Sequence, residues 1–181
     1  MAPLRRLWVL RHAKAEPSND PHPGADHARV LTARGVTQGH ALSQHFSERR
    51  AAGLPLPSVV WLSTAARTRQ TAALAVADLD PVALEPEPWL YRATPEEVIA
   101  RLTEIPEDPE GVMVVGHNPT VHALAFLLTG DSRLSVGFPT ATLATISFAV
   151  DWAQLSEGLG DLEELWTPPG ASHTGSSPAF P

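Results

Sequence analysis

Three short apolar runs in this sequence each stop at polar residues of a narrow kind. Leu7-Trp8-Val9-Leu10 runs into Arg11-His12. Val59-Val60-Trp61-Leu62 runs into Ser63-Thr64, with Arg67 and Arg69 close behind. Val112-Met113-Val114-Val115 runs into Gly116-His117-Asn118. In an open parallel sheet, ligands bind at the carboxyl ends of the strands, so these groups can converge on one rim. Helices that begin there add free backbone N–H groups, which favour an anion. Two histidines, at least two arginines and helix N-termini describe a phosphoryl site. A neutral imidazole can attack phosphorus and form a phosphohistidine that water then cleaves. Phosphoryl transfer also needs the non-bridging oxygens held and compensated, which suits arginine's planar fork. The expected roles are His12 as nucleophile, Arg11 and Arg67 as phosphate clamp, and His117 as a second cationic or donor partner.

The elements that must position these groups alternate between strand and helix, which predicts a parallel α/β sheet. Residues 7–10 read as a buried first strand, and a polar loop follows from Glu16 to His27. Thr32 can cap a helix to about Arg50, with Val36, Leu42 and Phe46 on one face. After the strand at 59–62, Ser63 or Thr64 is the expected cap of a helix to about Val76. A short strand near 82–84 comes next. Thr94-Pro95-Glu96-Glu97 then opens a helix with a cap, a proline and acids in the first turn. Asn118 is the expected cap of a helix through Leu128. Residues 143–150 read as a strand, with 162–166 returning beside it as an antiparallel edge. The expected fold is a three-layer α/β/α sandwich, its sheet mostly parallel with an antiparallel edge. It forms a single domain over 1–167, followed by a flexible tail over 168–181.

Length and composition agree with this scheme. The chain has 181 residues, 43% hydrophobic and 18% charged, enough for one domain with its own core. It contains no cysteine, so a thiol nucleophile, a disulfide scaffold and cysteine-ligated zinc are excluded. The apolar run before Arg11 is too short for a signal peptide or a membrane span, and a soluble cytoplasmic protein is expected. A net charge of −7 argues against general nucleic-acid binding but leaves room for an anionic substrate in an arginine-lined cleft.

Competing chemistries find little support. His22, His27, His40, His45, His122 and His173 read as solvated or structural, although His22 and His27 lie in the loop beside the first motif. Arg69 reads as a surface charge. His117 and His122 are five apart, as are His40 and His45, which misses the spacing of a helical zinc pair, so no metal is expected. No Gly-x-Ser-x-Gly elbow and no glycine-rich nucleotide loop occurs, so no serine triad and no cofactor is implied. Trp8, Trp61 and Trp89 are expected in the core, with Trp152 and Trp166 covering the sheet edge.

Leu10-Arg11-His12-Ala13, Ser63 to Thr71 (STAARTRQT) and Val114 to Pro119 (VVGHNP) resemble the three motifs of the histidine phosphatase superfamily. Arg29-Val30-Leu31-Thr32-Ala33-Arg34-Gly35 and Phe138-Pro139-Thr140 resemble its SixA-type phosphohistidine phosphatases, small enzymes without a lid subdomain. The resemblance spans about residues 5 to 150. It implies the three-layer fold of the phosphoglycerate mutase-like proteins and hydrolysis through a metal-independent phosphohistidine on His12. It also makes Arg29, with Asn118 and Ser63, a candidate contact to substrate phosphate. Two departures stand out. Ala13 replaces a common glycine, and Trp89-Leu90-Tyr91 stands where many relatives carry a proton-donating glutamate. Glu85, Glu87, Glu96 and Glu97 lie nearby, none in a matching pattern. An alkoxide leaving group benefits strongly from protonation, whereas a phosphoramidate needs less help. A phosphohistidine in a protein is therefore the expected substrate. The alternatives are a small-metabolite phosphatase, a mutase, or a phosphoprotein-binding module that does not turn over.

Overall fold

The computed structural model describes residues 4–18, 20–22, 24–106 and 108–170. In chain order the strands are β1 (Arg5–Arg11), β2 (Val59–Ser63), β3 (Ala83–Glu87), β4 (Gly111–Gly116), β5 (Leu143–Phe148) and β6 (Asp161–Trp166). The helices are α1 (Ala25–Ala28), α2 (Ala33–Ala51), α3 (Ala66–Ala75), α4 (Pro95–Thr103) and α5 (Thr120–Thr129). The six strands form one sheet in the order β3-β2-β4-β1-β5-β6. The first four in that order run parallel, and β5 is antiparallel to both of its neighbours.

Side-chain alternation along β1 explains the layers. Leu7 and Val9 face one side, where they pack with Val98 and Leu102 of α4 and Leu124 and Leu128 of α5. Trp8 and Leu10 face the other side, against Leu42 and Phe46 of α2 and Ala72 and Ala75 of α3. A strand covered on both faces must be apolar at every position, which is why β1 and β4 read as unbroken hydrophobic runs. The architecture is therefore the α/β/α sandwich expected from the sequence, with β5 as the strand that reverses the edge.

Local capping obeys the sequence in two of four places. Thr32 caps α2 by accepting from the Gly35 N–H at 3.0 Å. Thr94 and Glu97 form a reciprocal capping box at α4. The other two expected caps are corrected. Ala65 is the N-cap of α3, not Ser63 or Thr64, and Pro119 is the N-cap of α5, not Asn118. At both places the polar side chain is drawn into contacts between the strand tips instead.

Other boundaries shift for visible reasons. β3 extends past the expected 82–84 through Pro86, which an edge strand tolerates because no partner needs its N–H. Val36 turns out exposed, so Leu42 and Phe46 carry the buried face of α2. Trp61 and Trp89 are only half-buried beside the open edge at β3, their indoles donating to Glu85 and Glu87. Trp152 is fully buried, and its indole donates to the Pro109 carbonyl. Trp166 lies at the β6 edge, stacked on His45 at 4.7 Å. At the start of the expected tail over 168–181, Pro168 is buried and the Gly170 carbonyl accepts from Arg34. The expected tail beyond residue 170, with His173, lies outside the described residues. No helix among the described residues is long and apolar enough to cross a membrane.

Candidate functional site

Because β2, β4 and β1 are neighbours, their carboxyl ends meet at the centre of one rim. The His12 N–H donates to the Gly116 carbonyl at 3.1 Å, which carries the β1–β4 pairing one step past the strand. Thr71 of α3 then fixes the turn after β1. Its hydroxyl accepts from the Ala13 N–H at 2.9 Å and donates to the Arg67 carbonyl at 2.7 Å. Thr68 fastens the same helix to β2, its hydroxyl 2.6 Å from the Ser63 carbonyl. On the far side the Phe138 carbonyl accepts from Arg11 Nη1 at 2.8 Å and from Asn118 Nδ2 at 3.0 Å. Ala141 closes that turn in the left-handed region, at φ 62°, with its N–H shared between the Arg11 and His12 carbonyls.

The two histidines of the first and third motifs come together, ring centroids 5.2 Å apart. Nδ1 of His12 lies 2.7 Å from the Ala13 carbonyl. A carbonyl only accepts, so Nδ1 carries the proton and Nε2 keeps the lone pair. Burial pushes the His12 pKa down to about 3, and the charges of His117, Arg67 and Arg11 push the same way. Burial and the Arg67 charge lower His117 to about 4. Both imidazoles are therefore neutral near pH 7 before a ligand arrives. His117, expected from the sequence as a second cationic or donor partner, stands beside His12. Its Nε2 meets the Ser63 hydroxyl at 2.8 Å, while its Nδ1 is buried without a partner.

The arginines behave differently from one another. Arg11 is half-buried and its free Nε has no partner. Arg67 is buried, and both terminal nitrogens go to Asp26, Nη1 to the backbone carbonyl at 2.6 Å and Nη2 to Oδ2 at 3.0 Å. Arg29 reaches the same carboxylate through Nε at 2.8 Å and also donates to the Glu16 carbonyl. The Tyr91 hydroxyl donates to Asp26 Oδ2 at 2.6 Å. That bond, together with the two arginines, holds the Asp26 carboxyl far below the usual carboxylate range and raises the Tyr91 pKa.

The structure thus brings together His12, His117, Arg11, Arg67, Arg29, Ser63 and Asn118. Two of them touch protein where contact with substrate was expected. Ser63 is fully buried against His117, and one of the two N–H donors of the Asn118 amide goes to the Phe138 carbonyl. His27 also enters, its Nε2 2.9 Å from the Thr64 hydroxyl and its ring against Tyr91. Arg69, His22 and His40 are exposed, and His122 is buried beneath Phe138. The nearby glutamates are engaged elsewhere, Glu97 in the α4 cap and Glu85 and Glu87 with tryptophans.

Sequence reasoning missed Asp26, Tyr91 and Thr71. The Asp26–Arg29 spacing of three was a usable signal for a pair, and Tyr91 is the chain's only tyrosine. Of ten buried side-chain polar atoms without a partner among the described residues, four belong to this rim, on Arg11, Arg67, His117 and Asn118. Such orphans are costly unless a ligand satisfies them. Three of the four are nitrogens, on Arg11, Arg67 and His117, and the fourth is the Asn118 amide oxygen. Among the described residues no group of three or more His, Asp or Glu could hold a metal ion.

A model of the histidine phosphatase superfamily (branch 1) matches residues 7–91. A Mycobacterium tuberculosis protein described only as uncharacterised is 35% identical over 167 residues, covering 88% of this chain and 99% of its own. A Nakamurella multipartitia structure ascribed to phosphohistidine phosphatase SixA is 30% identical, with a TM-score of 0.77, covering 92% of this chain and 97% of its own. The chain belongs to the histidine phosphatase superfamily. The alpha-ribazole phosphatase of Shigella flexneri shares the fold at 18% identity and a TM-score of 0.64, covering 88% and 95% of the two chains. As a superfamily member with its sheet and motif residues in place, the protein is a phosphatase.

Proposed function

We propose that this phosphatase removes the phosphoryl group from phosphohistidine in a protein through a covalent intermediate on His12. The observation that carries the reading is the His12 Nδ1–Ala13 bond, which fixes the tautomer and leaves a neutral Nε2 as nucleophile beside Arg11, Arg67 and His117. The substrate phosphoryl group takes donors from Arg11 and Arg67, whose planar forks compensate its oxygens as charge shifts in the transition state. His12 Nε2 attacks phosphorus, forming the N–P bond as the bond to the leaving nitrogen breaks. His117, neutral and buried, donates to a phosphoryl oxygen. Water then attacks the phosphohistidine, the electrons of the N–P bond return to Nε2, and phosphate leaves. No step calls on a metal or cofactor.

The substrate class follows from proton donors. Asp26 is the carboxylate nearest the clamp; in the resting protein Tyr91 and two arginines hold it ionised, and away from them an ordinary carboxyl is still ionised near pH 7, so it has no proton to give. The raised Tyr91 pKa makes that hydroxyl a reluctant donor as well. A site so equipped favours a leaving group that departs without strong acid help, and a histidine nitrogen is one. The likeness to the Nakamurella structure supports the same substrate class. A cytoplasmic protein acting on a phosphorylated protein partner fits this reading.

The test is phosphate release from a phosphohistidine protein and from p-nitrophenyl phosphate, compared for wild type and His12→Ala. Strong preference for the phosphohistidine, lost in the variant, is expected. Equal or better cleavage of small phosphate esters would move the substrate to metabolites, as in the alpha-ribazole phosphatase. Vanadate binding without turnover in folded wild type would point to a binding module.

A further inference from the structure

The group that fills the clamp in the resting protein comes from the protein itself. Three donors from three parts of the chain converge on one carboxylate. They are Arg67 Nη2 of α3, the Tyr91 hydroxyl after β3, and Arg29 beside α1. Nothing about Asp26 requires so much compensation for folding, since its side chain is 43% exposed. A planar anion held by two guanidinium groups and a hydroxyl presents much the pattern that a phosphoryl group would present.

The element that carries Asp26 is built to move. The four-residue α1 has no fully buried side chain, and its ring contact with the body is His27 edge-on to Tyr91. Polar bonds hold it: Asp26 to the three donors, Arg29 to the Glu16 carbonyl, and His27 to Thr64. Its excursion is bounded by a neck, where Ala15 bridges Leu31 and Thr32 donates to the Lys14 carbonyl. Segments with few fully buried apolar contacts belong to the low-stability end of a protein's local openings.

We propose that Asp26 is a specificity-determining internal anion that occupies the Arg67–Arg29 clamp at rest, latched there by Tyr91, and is displaced by the substrate's phosphoryl group. The inference rests on the assignment of Arg67 to the phosphate clamp. A dianionic phosphoryl group gains more from two guanidiniums than a carboxylate does, so it displaces Asp26, whereas a monoanion of carboxylate type does not. After hydrolysis Asp26 returns, which favours release of inorganic phosphate. Asp26 is therefore not a catalytic residue, and its removal strengthens anion binding.

Calorimetric titration with inorganic phosphate tests this on wild type, Asp26→Asn, Tyr91→Phe and Arg67→Ala. Asp26→Asn keeps the shape and removes the charge, and it should bind phosphate about tenfold more tightly, the worth of roughly one charge-assisted hydrogen bond. In turnover its KM should fall and product inhibition by phosphate should rise. Tyr91→Phe removes one donor from Asp26 and keeps both guanidiniums and the ring beside Arg67, so it should tighten binding by a smaller factor even if the asparagine variant folds poorly. Unchanged or weaker phosphate binding in both variants, with binding lost in Arg67→Ala, would overturn the latch, because Asp26 would then merely position the arginines. Wild-type binding in Arg67→Ala would overturn the latch together with the clamp assignment beneath it.

Discussion

Acid should destabilise this protein through His12 and His117, in a pH window that the structure defines. Take His12 first. Its folded pKa lies near 3 and its unfolded value is near 6.5. Below about pH 6.5 the unfolded chain binds a proton that the folded chain refuses, so stability falls as pH drops and levels off below the folded pKa. At about pH 5 the gap to 6.5 is about 1.5 units, and each unit is about 1.4 kcal/mol, so His12 alone costs about 2 kcal/mol. His117, lowered to about 4, adds a similar amount over the same range. Asp26 acts oppositely and later. Its depressed pKa contributes stability that is lost only as pH falls below the ordinary carboxylate value, so it leaves the window from about 6.5 to 5 to the histidines. The assay is urea unfolding followed by tryptophan fluorescence at about pH 7.5 and about pH 5, for wild type and His12→Asn. Asparagine keeps a donor toward the Ala13 carbonyl and cannot titrate. The variant should lose about 2 kcal/mol less than wild type between the two pH values. Equal losses would refute the claim that His12 is neutral by burial.

Other substitutions probe the supports of the site. Arg67→Lys keeps the charge but loses the fork, and kcat/KM should fall about a hundredfold or more in steady-state assays. Thr71→Val strands the Ala13 N–H and frees α3 from the turn after β1, at a cost of about 1–3 kcal/mol in urea unfolding. Gly35→Ala would drive a methyl group into the backbone carbonyl of Lys14, two residues past His12. Lower thermal stability and lower activity should appear together, because the clash pushes on the nucleophile's own loop.

The fold was legible where both faces of an element are covered. The runs at 7–10 and 112–115 are apolar at every position because they lie between two helical layers, whereas Val59 and Trp61 of the 59–62 run stay half-buried on one face. The site was legible to the extent that its residues sit one or two positions past those strands, as His12 and His117 do. What escaped was anything set by tertiary reach. Asp26 meets Arg67 across 41 residues and Tyr91 across 65, distances at which local spacing carries no information. The capping residues failed for a related reason. Ser63 and Asn118 have good cap chemistry, yet each pairs across the rim instead, Ser63 with His117 and Asn118 with the Phe138 carbonyl in the loop before β5. Trp61 and Trp152 exchanged their expected places because hydrophobicity does not say which strand lies at the edge.

The most direct test of the central claim is to trap the phosphoenzyme. Wild-type protein would be mixed with a radiolabelled phosphohistidine protein, quenched in base within a turnover, digested and mapped by mass spectrometry. The account predicts label on His12, at Nε2, and none in His12→Asn. Label on another residue, or turnover that persists without His12, would contradict it.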